Sequence, residues 1–181
     1  MRTSSKAIAT MIGAAAIMSC GQGIAAAQPK SQVLYAHRAW EVRGVVFESG
    51  APMCVALVQL GEAAFSIWAD GSRPISLQFY SPGWAFGETM SDVEVQVDTR
   101  EEWTLGGADM FRNAVFFSLP SDDVSLQFLG QIADGMTLHL RNGAGENLYS
   151  YTLSGSNASI RALGRCVDAL RARAGDDDPF D

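Results

Sequence analysis

Alternation of apolar and polar residues dominates the first two thirds of this chain. Between residues 75 and 80, and again between 93 and 98, every second residue is apolar, as in a strand with one buried face. Residues 53–58 are apolar nearly throughout, which indicates a strand buried on both faces. Residues 28–35 are predicted to form a loose lead-in. Shorter apolar runs predict further strands at 39–47, 65–68 and 116–119.

Two stretches in the second half instead repeat their apolar residues every three or four positions, as amphipathic helices do. The first is predicted to begin at Ser121 as N-cap and to end at Gly135 as C′ residue. The second begins at Ser156, another predicted N-cap. The apolar positions of the first helix are Val124, Phe128, Leu129 and Ile132, and those of the second are Ile160, Leu163, Val167 and Leu170.

Strands predicted at 136–140 and 148–153 separate the two helices and are joined across Asn142 and Gly143. A faint repeat relates residues 117–135 to 151–169, so two strand–helix units are expected side by side. The fold class predicted from these patterns is α+β: a mainly antiparallel β-sandwich with two helices in the C-terminal half.

The ends of the chain differ from this domain in composition. Residues 1–27 have two cationic residues, an apolar run and three terminal alanines, as in a secretory signal peptide. Residues 28–173 are then one β-rich globular domain, and 174–181 an acidic disordered tail. A periplasmic or secreted protein is expected, with anchoring as a lipoprotein through Cys20 as the alternative. The apolar run is too short to predict a transmembrane span.

The chain as a whole is acidic, with 20 Asp and Glu against 13 Lys and Arg and a formal net charge of −7. Removal of the leader would make the chain still more negative, because Arg2 and Lys6 lie within it. No basic stripe is present, which argues against nucleic acid and anionic lipid as partners. A protein or envelope component is the expected partner, and the oligomeric state is left open.

Two cysteines remain after removal of the leader, Cys54 and Cys166. In an oxidising compartment they are expected to form a disulfide that closes a loop over most of the mature chain. Reduced thiols for a metal site or a cysteine nucleophile are disfavoured there.

No pattern predicts catalysis, a metal or a cofactor, so the chain is not expected to be an enzyme. His139 alternates with two leucines and is predicted on the polar face of a strand, and His37 has no metal-type ligand at helical spacing. Glu101 and Glu102 are adjacent, and adjacent strand residues point to opposite faces. The acidic run 176–178 is predicted to be a solvated tail rather than a cation site.

The candidate binding site is an aromatic loop at residues 80–87, which contains Tyr80, Trp84 and Phe86 between glycines and a proline. Such a loop predicts an apolar contact surface for a partner. The alternative is that the loop folds back and Trp84 or Phe86 plugs one end of the core. Trp103 has the same two interpretations.

Three pieces of the chain, in order, resemble the invasion-associated locus B (IalB) family of bacterial periplasmic proteins. They are Trp40-Glu41-Val42-Arg43 with Pro52 to Leu57, Pro82-Gly83 with Val93 to Asp98, and Leu153-Ser154-Gly155-Ser156 with Ile160 to Leu163. The chain departs from the family pattern at Gly44 and near Phe116, where family members commonly have cysteines. The resemblance implies a small, mainly β, non-catalytic protein linked to host-cell invasion or envelope function.

Two functions are therefore predicted. The first is a non-catalytic periplasmic or secreted protein that acts through protein or envelope contacts. The alternative is a carrier of a small apolar ligand, with a pocket between sheet and helices.

Overall fold

The computed structural model describes residues 29–120 and 123–176. They form ten strands and two helices, which confirms the predicted α+β class. The strands are β1 Lys30–His37, β2 Trp40–Val46, β3 Pro52–Leu60, β4 Ala63–Ala69, β5 Ser76–Tyr80, β6 Phe86–Val97, β7 Trp103–Arg112, β8 Ala114–Ser118, β9 Thr137–Arg141 and β10 Asn147–Thr152. The helices are α1 Asp123–Asp134 and α2 Ser156–Asp176.

All strands belong to one antiparallel sheet, in the order β1-β2-β3-β4-β5-β8-β7-β6-β9-β10. The sheet curls so that its two ends approach each other. The indole Nε1 of Trp40 on β2 donates to the carbonyl of Thr152 on β10 at 3.0 Å. Across the core, the ring of Tyr151 lies 6.0 Å from Phe65 and 6.2 Å from Phe79. One face of the sheet therefore encloses the core, and the other faces outward.

The helices pack on the enclosed side. Phe128 and Ile132 of α1 are buried, as are Leu163 and Val167 of α2, which confirms most of the predicted stripes. A disulfide joins Cys54 of β3 to Cys166 of α2, with the Cα atoms 6.1 Å apart and a sequence separation of 112. The predicted disulfide is confirmed, and it fixes α2 against the sheet.

Several local predictions were wrong. The predicted lead-in at 28–35 lies mostly in β1, because an exposed edge strand can form without the alternation of a half-buried one. Val124 is exposed because it lies in the first turn of α1, outside the buried stripe. Helix α2 extends to Asp176, into the predicted tail. Ser121 and residues 1–28 and 177–181 lie outside the described residues.

Ser156 and Gly135 have different roles from the predicted caps. The Ser156 hydroxyl is buried and donates to the carbonyl of Ile132 at 2.7 Å, so it stabilises the end of α1 rather than the start of its own helix. Gly135 does not have a left-handed conformation. A Cβ there would lie 2.4 Å from Val97 Cγ1, so close packing against the sheet requires the glycine.

The two strand–helix units are only partly side by side. Helices α1 and α2 contact each other. Their preceding strands do not, since three strands separate β8 from β10 in the sheet.

Candidate functional site

The predicted aromatic loop is short and well tied to its neighbours. Its backbone forms hydrogen bonds from Ser81 N–H to the Asn113 carbonyl (3.0 Å) and from Trp84 N–H to the Ser81 carbonyl (3.1 Å). The Asn113 side chain donates to the Trp84 carbonyl at 2.7 Å. Phe86 already belongs to β6. The loop is therefore a fixed connection between β5 and β6.

Trp84 and Phe86 turn toward the core. Their ring centroids are 5.4 Å apart, and Trp84 meets Tyr149 of β10 edge to face at 5.6 Å. Tyr149 is held in turn by a 2.7 Å hydrogen bond to the Ser81 hydroxyl. Both Trp84 and Phe86 are half-buried against the core, which is the arrangement that the second interpretation of the loop describes.

Tyr80 points the other way. Its neighbour Phe79 is fully buried, whereas 38% of Tyr80 is exposed, because successive strand residues face opposite sides of a sheet. The structure therefore separates the three aromatic residues of the predicted site. Trp84 and Phe86 close one end of the core, and Tyr80 lies on the outward face.

Tyr80 is part of a larger exposed surface that the sequence analysis missed. Strand register places Tyr80, Ala114 and Phe111 in one row across β5, β8 and β7. A second row runs through Gln78, Phe116, Asp109 and Met90, across the same strands and β6. We call Tyr80, Phe111, Phe116 and Met90 the outer apolar face; their exposed fractions are 38%, 41%, 37% and 66%.

The outer apolar face ends at an open strand edge with acidic residues. Strand β6 pairs with β9 only from Glu94 onward, so within the described part of the chain residues 86–91 pair with β7 alone. A groove of about 460 Å3 follows this edge, and Glu88 and Asp109 line it beside Met90 and Phe111. Open edges can accept an added strand through their free N–H and C=O groups. The surface thus combines apolar contacts, negative charge and unpaired backbone.

Sequence periodicity could not assign this face. Phe116 and Phe117 are adjacent, and nothing in a five-residue strand shows which of the two points outward. The only available signal was Tyr80, which falls on the polar side of the clear alternation in 75–80.

A second cleft lies beside the disulfide, between β1–β3 and α2, with a volume of about 390 Å3. Leu34, Met53 and Leu170 contribute apolar walls, and the exposed Lys30 and Arg173 also line it. This arrangement suits a ligand with an apolar body and an anionic end.

Three further residues singled out from the sequence contact other side chains of the fold. His139 is half-buried and its Nδ1 lies 2.9 Å from the Ser150 hydroxyl, on the polar face as predicted. The Trp103 ring packs at a tilt against Phe128, with centroids 5.2 Å apart, and its Nε1 donates to the Gln131 side chain at 3.0 Å. Glu102 precedes β7 and pairs with Arg141 at 3.3 Å.

Among residues 29–120 and 123–176, no group of three or more His, Cys, Asp or Glu is arranged to hold a metal ion. No helix in this part of the chain is long and apolar enough to cross a membrane. No family model, curated protein or solved structure matches the chain. The resemblance to the IalB family therefore stays a prediction.

Proposed function

We propose that this chain is a non-catalytic exported protein that binds a protein or envelope component through the outer apolar face. The observation that carries the proposal is the placement of four large apolar side chains, each more than a third exposed, in two adjacent rows across four strands. Exposed apolar side chains clustered in this way are typical of interaction sites on soluble proteins. Aromatic anchors usually provide most of the binding energy of such a site.

The partner is a basic protein segment with apolar side chains. Glu88 and Asp109 lie at the groove, and the chain as a whole carries a net charge of −7. Complementary charge would steer a basic partner to this surface and make its association rate sensitive to salt. The open edge at residues 86–91 would add backbone hydrogen bonds if the segment were extended.

The predicted leader and the disulfide support export to an oxidising compartment. A disulfide is stable in oxidising compartments such as the periplasm, and residues 1–27 are predicted to direct export. The protein would thus meet its partner in the periplasm, in the secreted fraction, or at the membrane if Cys20 were lipidated. The resemblance to the IalB family supports a role at the envelope or in host-cell invasion.

The test is a pair of substitutions matched to a control. Phe111→Ser with Phe116→Ser should lower the melting temperature only modestly and leave the fold intact, because both side chains point outward but are more than half covered. The double variant should lose about tenfold or more in affinity for the partner. Met136→Ser is the control, since Met136 is 67% exposed but lies outside the outer apolar face. The partner is first identified by mass spectrometry of complexes from the native envelope. Equal affinities for wild type, double variant and control would refute the proposal.

The cleft beside the disulfide favours a second function, transport of a small amphipathic anion such as a fatty acid. Purified protein stripped of ligand should bind a fluorescent fatty acid, and Ala169→Trp should abolish binding because Ala169 lines the cleft. Fluorescence titration measures both. Lack of binding to the stripped protein would exclude this second function.

A further inference from the structure

Three arginines converge on one cleft of this acidic protein. The cleft has a volume of about 500 Å3 and lies between the end of β1 and the first turns of α2. Arg38 comes from the β1–β2 turn, and Arg161 and Arg165 come from α2. His37 also lines it, and no aspartate or glutamate does among the residues that the structure describes. The cleft is therefore cationic in a chain with 20 acidic and 13 basic residues.

These arginines are not paired with carboxylates in the described part of the chain. Other arginines are: Arg43, Arg73, Arg141 and Arg171 each have a carboxylate within 4 Å. In the cleft, Arg38 instead donates to the Ser154 hydroxyl at 2.8 Å, and Arg161 to the Asn157 side chain. The Arg165 guanidinium lies over the Tyr35 ring, 6.0 Å from its centroid.

The arrangement is unfavourable without a ligand. Arg161 and Arg165 are four residues apart on one helix, and like charges at this spacing destabilise a helix. The nearest carboxylate in the hydrogen-bond network is Asp134, which accepts from the Asn157 amide at 3.3 Å. Asp134 does not line the cleft. An anion in the cleft would remove the repulsion.

The backbone holds the two sides of the cleft together. Gly155 has a φ of +106°, and a Cβ there would lie 2.6 Å from the His37 carbonyl oxygen, so the start of α2 packs directly on the β1–β2 turn. Arg38 itself has a left-handed φ of +55°, which is uncommon for a residue other than glycine. The position of Arg38 relative to α2 is thus fixed before any ligand binds.

Backbone donors complete the cleft. Asn157 and Ala158 line it from the first turn of α2, and no hydrogen bond to another described residue uses their N–H groups. Free N–H groups at a helix start, next to arginine side chains, bind oxyanions well. The planar guanidinium group matches two oxygens of a phosphate at once. Several cations around one point favour a doubly charged group over a single carboxylate.

We propose that this cleft binds a phosphate monoester group through Arg38, Arg161 and Arg165 and the first turn of α2. The Tyr35 and His37 rings, stacked with centroids 6.3 Å apart, form a wall against which the rest of the ligand would pack. The phosphate can belong to a small soluble molecule or to a lipid headgroup. This proposal does not depend on the outer apolar face.

The experiment compares two double variants that change the net charge equally. Arg161→Gln with Arg165→Gln removes two cleft cations. Arg100→Gln with Arg112→Gln is the control, because both residues are exposed and neither lines this cleft or the cleft beside the disulfide. Inorganic phosphate is titrated at constant ionic strength with amide NMR shifts as the readout. Wild type and control should show shifts at the start of α2, and the cleft variant should bind about tenfold or more weakly.

Vesicles distinguish the source of the phosphate. Binding to phosphatidic acid vesicles but not to phosphatidylcholine vesicles, lost in the cleft variant, would assign the site to a lipid headgroup. Binding of inorganic phosphate without vesicle binding would assign it to a soluble ligand. Thermal unfolding in chloride is the check on folding, and the cleft variant should melt at the wild-type temperature or above it. A lower melting temperature, an equal loss in the control, or no binding of either probe to wild type would overturn the proposal.

Discussion

Two tyrosines on the same face of β10 differ in whether the hydroxyl has a partner. Their ring centroids are 6.0 Å apart. The Tyr149 hydroxyl lies 2.7 Å from the Ser81 hydroxyl. The Tyr151 hydroxyl is buried and has no hydrogen-bond partner among the described residues. Burial, with a smaller contribution from the neighbouring Tyr149, raises the pKa of Tyr151 well above its ordinary value.

Replacement of each tyrosine by phenylalanine should therefore have opposite effects. Tyr151→Phe should raise the free energy of unfolding by about 1 kcal/mol, because it removes a desolvated hydroxyl that gains no hydrogen bond. Tyr149→Phe should lower it by about 1 kcal/mol, because the hydrogen bond between the Tyr149 and Ser81 hydroxyls is lost. Urea denaturation measures both. If Tyr151→Phe were as destabilising as Tyr149→Phe, the buried hydroxyl would have to be hydrogen-bonded.

At the scale of elements, the buried side of each helix determines its contribution to stability. Phe128 of α1 is 1% exposed and packs against Trp103, and Leu163 of α2 lies in the core. Val124, on the same helix as Phe128, is exposed and contributes little to packing.

Substitutions in the helices should follow this division. Phe128→Ala should cost about 3–5 kcal/mol and Leu163→Ala about 2–5 kcal/mol, since each leaves a cavity in the core. Val124→Ala is the control on α1 and should change stability by about 0.5 kcal/mol or less. Thermal or urea unfolding of the three variants tests the assignment. A cost for Val124→Ala as large as that for Phe128→Ala would contradict the observed helix orientation.

Periodicity predicted the elements better than their contacts. Alternation located β5 and the end of β6, and the 3.6-residue repeat located both helices, because local burial alone produces these patterns. It could not show that Ser156 bonds to the other helix or that Gly135 makes room for Val97, since both contacts join distant segments. The outer apolar face and the cleft lined by Arg38, Arg161 and Arg165 likewise depend on strand register and on packing between elements. The disulfide was predictable because only one pairing remained.

At the scale of the whole molecule, the Cys54–Cys166 disulfide closes a loop of 112 residues and joins the sheet to α2. Closing so long a loop restricts the unfolded chain, which is the main source of stabilisation in the chain-entropy model. Cys166→Ala should lower the free energy of unfolding by about 2–4 kcal/mol and the melting temperature by several degrees. Calorimetry of the variant against the oxidised wild type measures this, and the reduced wild type should show a similar loss. An unchanged melting temperature would mean that packing alone holds α2 in place.

The proposal that the outer apolar face binds a protein is tested most directly by photo-crosslinking in the native envelope. A benzophenone amino acid at position 116 lies within the face, and the same group at position 136 is the control at a more accessible site outside it. We expect one discrete adduct with a basic protein from position 116. It should weaken at high salt and be absent from position 136. No adduct from position 116, or the same adducts from both positions, would contradict the proposal.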